Sequence, residues 1–186
     1  LAAALRQQGF ETQLMVDAGL LKQAENGDER YDYFRDRVMF PITDRTGRVI
    51  AFGGRILGDG QPKYLNSPDS QLFHKGRVLY GLSQAREAAR KANRLVVCEG
   101  YMDVIALHQA GIAEAVAPLG TALTEDQIQV MWRLAAEPII CFDGDSAGSR
   151  AAARASGRGL PMLKPGQSLR FSSLPHPLFL CFPFLH

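Results

Sequence analysis

Cysteine is scarce in this chain: Cys98, Cys141 and Cys181 lie far apart in 186 residues, and no two share the CxxC spacing of a zinc-ligand pair. That excludes a cysteine zinc site and a disulfide-stapled secreted module, and it fits a reducing, cytoplasmic compartment. Cys98 and Cys141 stand in apolar runs, where a thiol acts as a small buried hydrophobe. An excess of one charge is lacking as well. With 21 Lys and Arg against 19 Asp and Glu the formal charge is +2, so net charge does not mark a nucleic-acid binder and the placement of charges must carry that argument. Long hydrophobic runs are missing too. The most apolar stretch, Leu178 to Leu185, falls far short of the roughly 20 residues a membrane span needs, and Pro183 interrupts it, so no membrane-crossing segment is expected. No secretory leader and no repeat of about 20 to 50 residues is visible, so neither a signal peptide nor a solenoid is expected. The chain opens on Leu1 rather than Met and reads as a piece of something longer.

What is present suffices for a globular core, with 46% hydrophobic and 22% charged residues. Leu1, Leu5, Leu14, Val16, Leu20 and Leu21 recur at helical spacing, broken at Gly9, and predict two short helices. RVMFPI and RVIAFGGR, over residues 37 to 55, are β-rich and joined by the turn-forming Thr43-Asp44-Arg45-Thr46-Gly47. Residues 56 to 77 read as a loop, with Gly58, Gly60, Pro62 and Pro68. Arg55, Lys63, Lys75 and Arg77 are interspersed there with Tyr64 and Phe73, a mix suited to facing a phosphate backbone, the aromatics being expected to pack.

Beyond this the pattern alternates. Helices are expected at Ser83 to Ala92, Tyr101 to Gln109, Thr124 to Ala135 and Ala147 to Ser156. Strands fall between them at Arg94 to Cys98, Ala115 to Ala117 and Ile139 to Phe142. Such alternation predicts the α/β class (α+β overall): a parallel sheet flanked by helices, preceded by a small mixed α+β subdomain. Thr124 followed by Gln127 is a capping-box signature at one helix start.

The chemistry concentrates at two strand ends. Leu95-Val96-Val97-Cys98 runs into Glu99-Gly100, and Ile139-Ile140-Cys141-Phe142 runs into Asp143-Gly144-Asp145. In a parallel sheet these carboxyl ends share one edge, where open α/β folds bind ligands. Converging carboxylates repel unless a cation neutralises them, and all-oxygen ligands select a hard ion such as Mg²⁺ or Mn²⁺. Asp103 stands one helical turn after Glu99 and is expected to join that metal site. Taken singly, Glu99-Gly100 is also what a surface turn looks like, and Asp-Gly-Asp what a helix-capping or calcium-type loop looks like. His74 and His108 lack partners at zinc-ligand spacing. Arg150, Arg154 and Arg158 form one basic helix face whose ordinary reading is solvation, with phosphate contact the lesser alternative.

Glutamate after one strand and Asp-x-Asp after a later one resembles the Toprim domain, over residues 93 to 157. That family includes bacterial primases, topoisomerases and some nucleases. Upstream, DRVMFPITDRTGRVIAFGGRIL, PKYLNSPDSQLFHKGRVLYGL and CEGYMDVIALHQAGIAEAVAPLGTALT are similar to the DnaG-type DNA primase family, a resemblance extending over residues 1 to 171. The resemblance implies synthesis of short RNA primers on single-stranded DNA by metal-assisted nucleotidyl transfer, in the bacterial cytoplasm at the replication fork. It implies catalytic Glu99, Asp143 and Asp145, metal ligands Glu99, Asp103, Asp143 and Asp145, and a nucleotide and template groove carrying Arg55, Lys63, Asn66 and Lys75. Ribonucleoside triphosphates, a single-stranded DNA template and Mg²⁺ (or Mn²⁺) are the implied partners. Zinc is expected only in an amino-terminal domain, and the replicative helicase only through a further domain, neither within this sequence. Another Toprim phosphoryl-transfer enzyme, or an inactive binding fragment, is the alternative.

The implied organisation is a partial amino-terminal core subdomain at 1–82, a Toprim domain at 83–171 and an atypical tail at 172–186. The family continues after KPGQSLRF with an Asp-Pro-Asp run. SSLPHPLFLCFPFLH has no acid and reads as a truncation or frame change, with a natural interaction tail the lesser alternative, and the change would remove carboxylates for a second metal.

Overall fold

A computed structural model describes residues 1–24, 27, 29–120 and 122–174, without the side chains of 173 and 174. The run after residue 174, with Cys181 and nearly all of the expected tail, lies outside the described residues. No helix among them is long and apolar enough to cross a membrane. The chain divides into two compact units: Leu1–Ile42 with Val49–His74, and Thr43–Arg48 with the described residues from Lys75 onward.

In the first unit α1 (Ala2–Gln7) and α2 (Thr12–Asp17) form on either side of Gly9, whose φ of +85° ends the first helix in a left-handed turn. The second helix stops earlier than its apolar spacing suggested. Leu20 and Leu21 lead instead into β1 (Leu21–Gln23), which pairs antiparallel with β2 (Arg30–Asp32). The expected β-rich runs become β3 (Arg37–Thr43) and β4 (Val49–Ile56). Part of the expected loop is a strand, β5 (Tyr64–Asn66), antiparallel to β4 and completing the order β3-β4-β5. Three residues are too few for periodicity to show. Phe40, Ile42, Ala51 and Phe73 are buried, so the packing role expected of Phe73 holds. Tyr64 departs from it and is exposed.

The second unit runs β6 (Leu79–Tyr80), α3 (Leu82–Ala92), β7 (Val96–Val97), α4 (Tyr101–Gln109), β8 (Ala115–Pro118), α5 (Glu125–Trp132), β9 (Ile139–Asp143), α6 (Ser146–Gly159) and β10 (Arg170–Leu174). Among the described residues its sheet has the order β10-β9-β7-β8-β6. It is parallel from β10 through β8, as the alternation predicted, and β6 adds one antiparallel edge strand.

Strand alternation sorts the core into two layers. Val97, Val116 and Ile140 pack with Leu82, Ala85 and Ala89 of α3, Ile128 and Met131 of α5, and Ala155 of α6. Cys98, Ala115 and Ala117 face the other way, onto Val104 and Leu107 of α4. Burying each such Val, Leu or Ile side chain contributes about 1.5–3 kcal/mol, so the two layers on the sheet supply much of the stability of this unit. Thr124 caps α5 by accepting from the Gln127 amide, and Gln127 returns the bond to the Thr124 amide, as the capping box predicted. His108 is structural, with Nε2 3.0 Å from the Ala115 carbonyl oxygen.

Candidate active site

β7 and β9 are parallel neighbours with Val97 opposite Ile140, so two residues further on Glu99 comes level with the end of β9. There its Oε1 accepts a 2.9 Å hydrogen bond from the Asp143 amide. Asp143 is the last residue of β9. Asp145 is the N-cap of α6, where its Oδ1 accepts from the amides of Ala147 (2.9 Å) and Gly148 (2.7 Å). The helix-capping reading of Asp-Gly-Asp therefore holds for Asp145, and it leaves Oδ2 outside the cap. Asp103, in the first turn of α4, places Oδ2 3.0 Å from the Gly100 amide and is mostly buried.

Electrostatics tie the four carboxylates together. Glu99 holds its proton more strongly than an ordinary glutamate, first because neighbouring protein desolvates it and then because Asp143, Asp103 and Asp145 repel its charge. The Asp143 amide opposes that shift only in part. Asp143 is pushed up in the same sense, by desolvation and then by Asp145. As placed, no three His, Cys, Asp or Glu side chains among the described residues converge closely enough to enclose an ion. The donor set nonetheless fits a hard cation: four mutually repelling carboxylates, all oxygen, at the carboxyl edge of a parallel sheet.

A cavity of about 210 Å³ adjoins this edge, lined by Glu99, Leu123, Phe142, Ala147 and Arg154 among others. Arg154 is exposed on α6, as expected of the basic helix face, and it also lines this cavity. The repeat of arginines after the acidic loop is its signal, and the placement of α6 decides which of them borders the cavity. Arg158, one turn on, donates from Nη1 to the Leu123 carbonyl. Gly148 was not legible at all: a Cβ there would stand 2.0 Å from the Asp143 carbonyl oxygen, so α6 can begin directly against β9 only with glycine at this position.

The expected basic groups divide between the units. In the first, Arg55 of β4 pairs with Tyr64 of β5, and Gly53 with Asn66. Arg55, Tyr64 and Asn66 therefore share one face of that ladder, with the exposed Lys63 next in sequence. In the second, Lys75 opens a 3₁₀ turn, Lys75–Arg77, fastened to α5 by Gln127, whose Nε2 donates to the carbonyls of Lys75 (3.1 Å) and Val78 (2.9 Å).

Parallel strands between helical layers, with a glutamate ending the central strand and Asp-Gly-Asp its neighbour, define a Toprim-type domain. Comparison agrees: the Toprim domain family matches residues 93–172, and the family described as the DNA primase catalytic core, N-terminal domain, matches residues 1–86. The chain belongs to the family of DnaG-type primase catalytic cores. It is 55% identical over 166 residues to the DNA primase of Pseudomonas aeruginosa, covering 89% of this chain and 25% of that protein. It superposes on a DNA primase domain from Pseudomonas aeruginosa with a TM-score of 0.87 and 53% identity, covering 92% of this chain and 54% of that one. A DnaG primase catalytic domain bound to single-stranded DNA matches with a TM-score of 0.85 and 49% identity, over 95% of this chain and 58% of that one. The chain thus spans about a quarter of the length of the curated relative it matches. Toprim domains and primases use divalent metal ions of the Mg²⁺ kind.

Proposed function

We propose that this chain carries the nucleotidyl-transfer centre of a DNA primase, which joins ribonucleotides into a short RNA primer on single-stranded DNA at the replication fork. The observation that carries the reading is the contact of Glu99 with the Asp143 amide, which brings the glutamate and Asp-x-Asp elements of a primase-type Toprim domain to one sheet edge. The relative that binds single-stranded DNA supports the class of template.

Glu99, Asp143 and Asp145, with Asp103, would hold Mg²⁺ or Mn²⁺, which when bound neutralises phosphate charge and acidifies the attacking 3′-hydroxyl. The Asp143 amide fixes Glu99 through Oε1 and leaves Oε2 for the ion or for the proton that the hydroxyl releases. A carboxylate whose proton affinity is raised suits the second task. Arg154, lining the cavity beside Glu99, binds the triphosphate. Arg55, Lys63, Asn66 and Lys75 hold template and nucleotide phosphates.

Incorporation of labelled ribonucleotides on a single-stranded DNA template with Mg²⁺ tests this. Glu99→Gln and Asp143→Asn should each lower the rate by at least about 100-fold, the scale of losing a positioned acid–base or charge-stabilising group. Product formation unchanged in both variants would refute the reading.

A further inference from the structure

Several cations of the second unit have carboxylate partners: Arg48 pairs with Asp44, Arg77 with Asp126, Lys91 with Glu87, Arg94 with Glu114 and Arg170 with Glu137. Four other arginines, Arg45, Arg86, Arg90 and Arg133, line one cavity of about 100 Å³, and among the described residues none of their guanidinium groups is in an ion pair. The clustering is built. Leu82, Arg86 and Arg90 lie at i, i+4 and i+8 on α3 and so form one stripe. Arg133 is the C-cap of α5. The turn that carries Arg45 is pinned to the start of α3 by a 2.8 Å bond between Thr43 Oγ1 and Ser83 Oγ.

The nearest acid in sequence, Asp44, does not neutralise them. Its carboxylate is already bonded to the amide and hydroxyl of Thr46 and to the amide and Nε of Arg48. Helix dipoles explain only part of the cluster: Arg90 lies in the last turn of α3 and Arg133 at the end of α5, where cations are favoured. Arg45 and Arg86 have no such reason. Like charges gathered around one cavity without a counter-charge raise the local positive potential and favour an anion there.

A second cavity, of about 410 Å³, shares Arg133 and adds Trp132, Lys164, Gln129 and Gln167. The indole is fixed by a 2.9 Å bond from its Nε1 to the Ser168 carbonyl, so an aromatic wall stands next to the arginine cavity. Both lie at the start of the parallel strands: α5 runs from the carboxyl edge back to Arg133, just before β9. This is the side of the sheet opposite Glu99.

We propose that these two cavities form a binding site for a single-stranded nucleic-acid segment, with phosphates on Arg45, Arg86, Arg90 and Arg133 and a base against Trp132. Positive charge interleaved with an aromatic platform is the arrangement that holds single strands without reading their sequence. The site is separate from the acidic edge and does not depend on the chemistry proposed for it.

Trp132 is the single tryptophan of the chain, so its fluorescence reports this site alone. Titration with an oligothymidylate of about 15 nucleotides, without metal, should quench it, and Arg86→Gln with Arg133→Gln should raise the midpoint at least about tenfold. The slope of log affinity against log salt should flatten by about 1.4, two phosphate contacts at ~0.7 each. Arg86→Lys with Arg133→Lys, which retains the charge, should recover most of the affinity. Absence of quenching, quenching by polyglutamate or by a free nucleoside triphosphate at the same concentration, or a double Gln variant that binds as the parent does would each overturn the proposal. The primer-synthesis test of Glu99 and Asp143 reads independently of this signal.

Discussion

At the scale of single residues, the carboxylates of the acidic edge oppose folding while they are charged. Glu99 has an ordinary carboxyl value of 4.5, raised in the fold by desolvation and by three neighbouring carboxylates. A raised acid favours the folded state while it is protonated. Its stabilising share is complete below the ordinary value and is lost as pH climbs through the raised one, so at neutral pH the charged form opposes folding. Asp143 acts in the same direction from 3.8. Glu99→Gln keeps an oxygen for the Asp143 amide and removes the charge. In the absence of divalent ions the variant should therefore melt above the parent at pH 7, with the gap closing as pH falls towards 4.5. Added Mg²⁺ should raise the melting temperature of the parent more than that of the variant, since only what binds the native state stabilises it. Thermal unfolding across pH, with and without Mg²⁺, checks both; a variant less stable than the parent at pH 7 would mean that the Asp143 contact outweighs the repulsion.

At the scale of elements, the strands that carry the site were legible because each is a continuous apolar run ending in an acid. The elements that sequence could not show are short or at an edge: β1, β2, β5 and β6 have two or three residues each, too few for any period. Helix α6 extends three residues beyond its expected end at Ser156, through Gly157 to Gly159, because packing overrides the low helical propensity of glycine. A Cβ on Gly159 would press on Leu169, whereas one on Gly157 would meet nothing within 4 Å. Nor could a pattern reveal that the buried Gln127, recognised as half of a capping box, also fastens the carbonyls of Lys75 and Val78. Two glycines of α6 make the difference between pattern and packing measurable. Gly157→Ala should stabilise by about 0.5–1 kcal/mol, the propensity gain alone. Gly148→Ala puts a methyl into the Asp143 carbonyl and should cost about 1–3 kcal/mol, the usual range for forced overpacking. Primer synthesis should fall with it, because relief requires moving Asp143 or Asp145. Denaturant unfolding of the two variants beside the activity assay separates the effects; equal stability in both would contradict the tight junction of β9 with α6.

At the scale of the whole molecule, a net charge of +2 conceals segregation. Glu99, Asp103, Asp143 and Asp145 gather at one sheet edge, arginines without an ion pair among the described residues line the cavity beside α3 and α5, and Arg55 and Lys63 stand exposed on the β4–β5 ladder of the first unit. Such a distribution would let one chain attract a polyanion and a metal ion at separate places without a large overall field, as the proposed function requires. Composition could not reveal this, because opposite signs cancel in a sum and only the fold separates them. The first-unit pair can be tested by its salt dependence. Arg55→Ala with Lys63→Ala should weaken binding of a labelled single-stranded oligonucleotide, measured by anisotropy, and flatten the slope of log affinity against log salt by about 1.4, two contacts at ~0.7 each. Quenching of Trp132 by the same strand should persist, since the arginine cavities are untouched. Loss of affinity with an unchanged slope would instead point to a disturbed β4–β5 ladder, because removing a packing contact leaves the number of displaced counterions as it was.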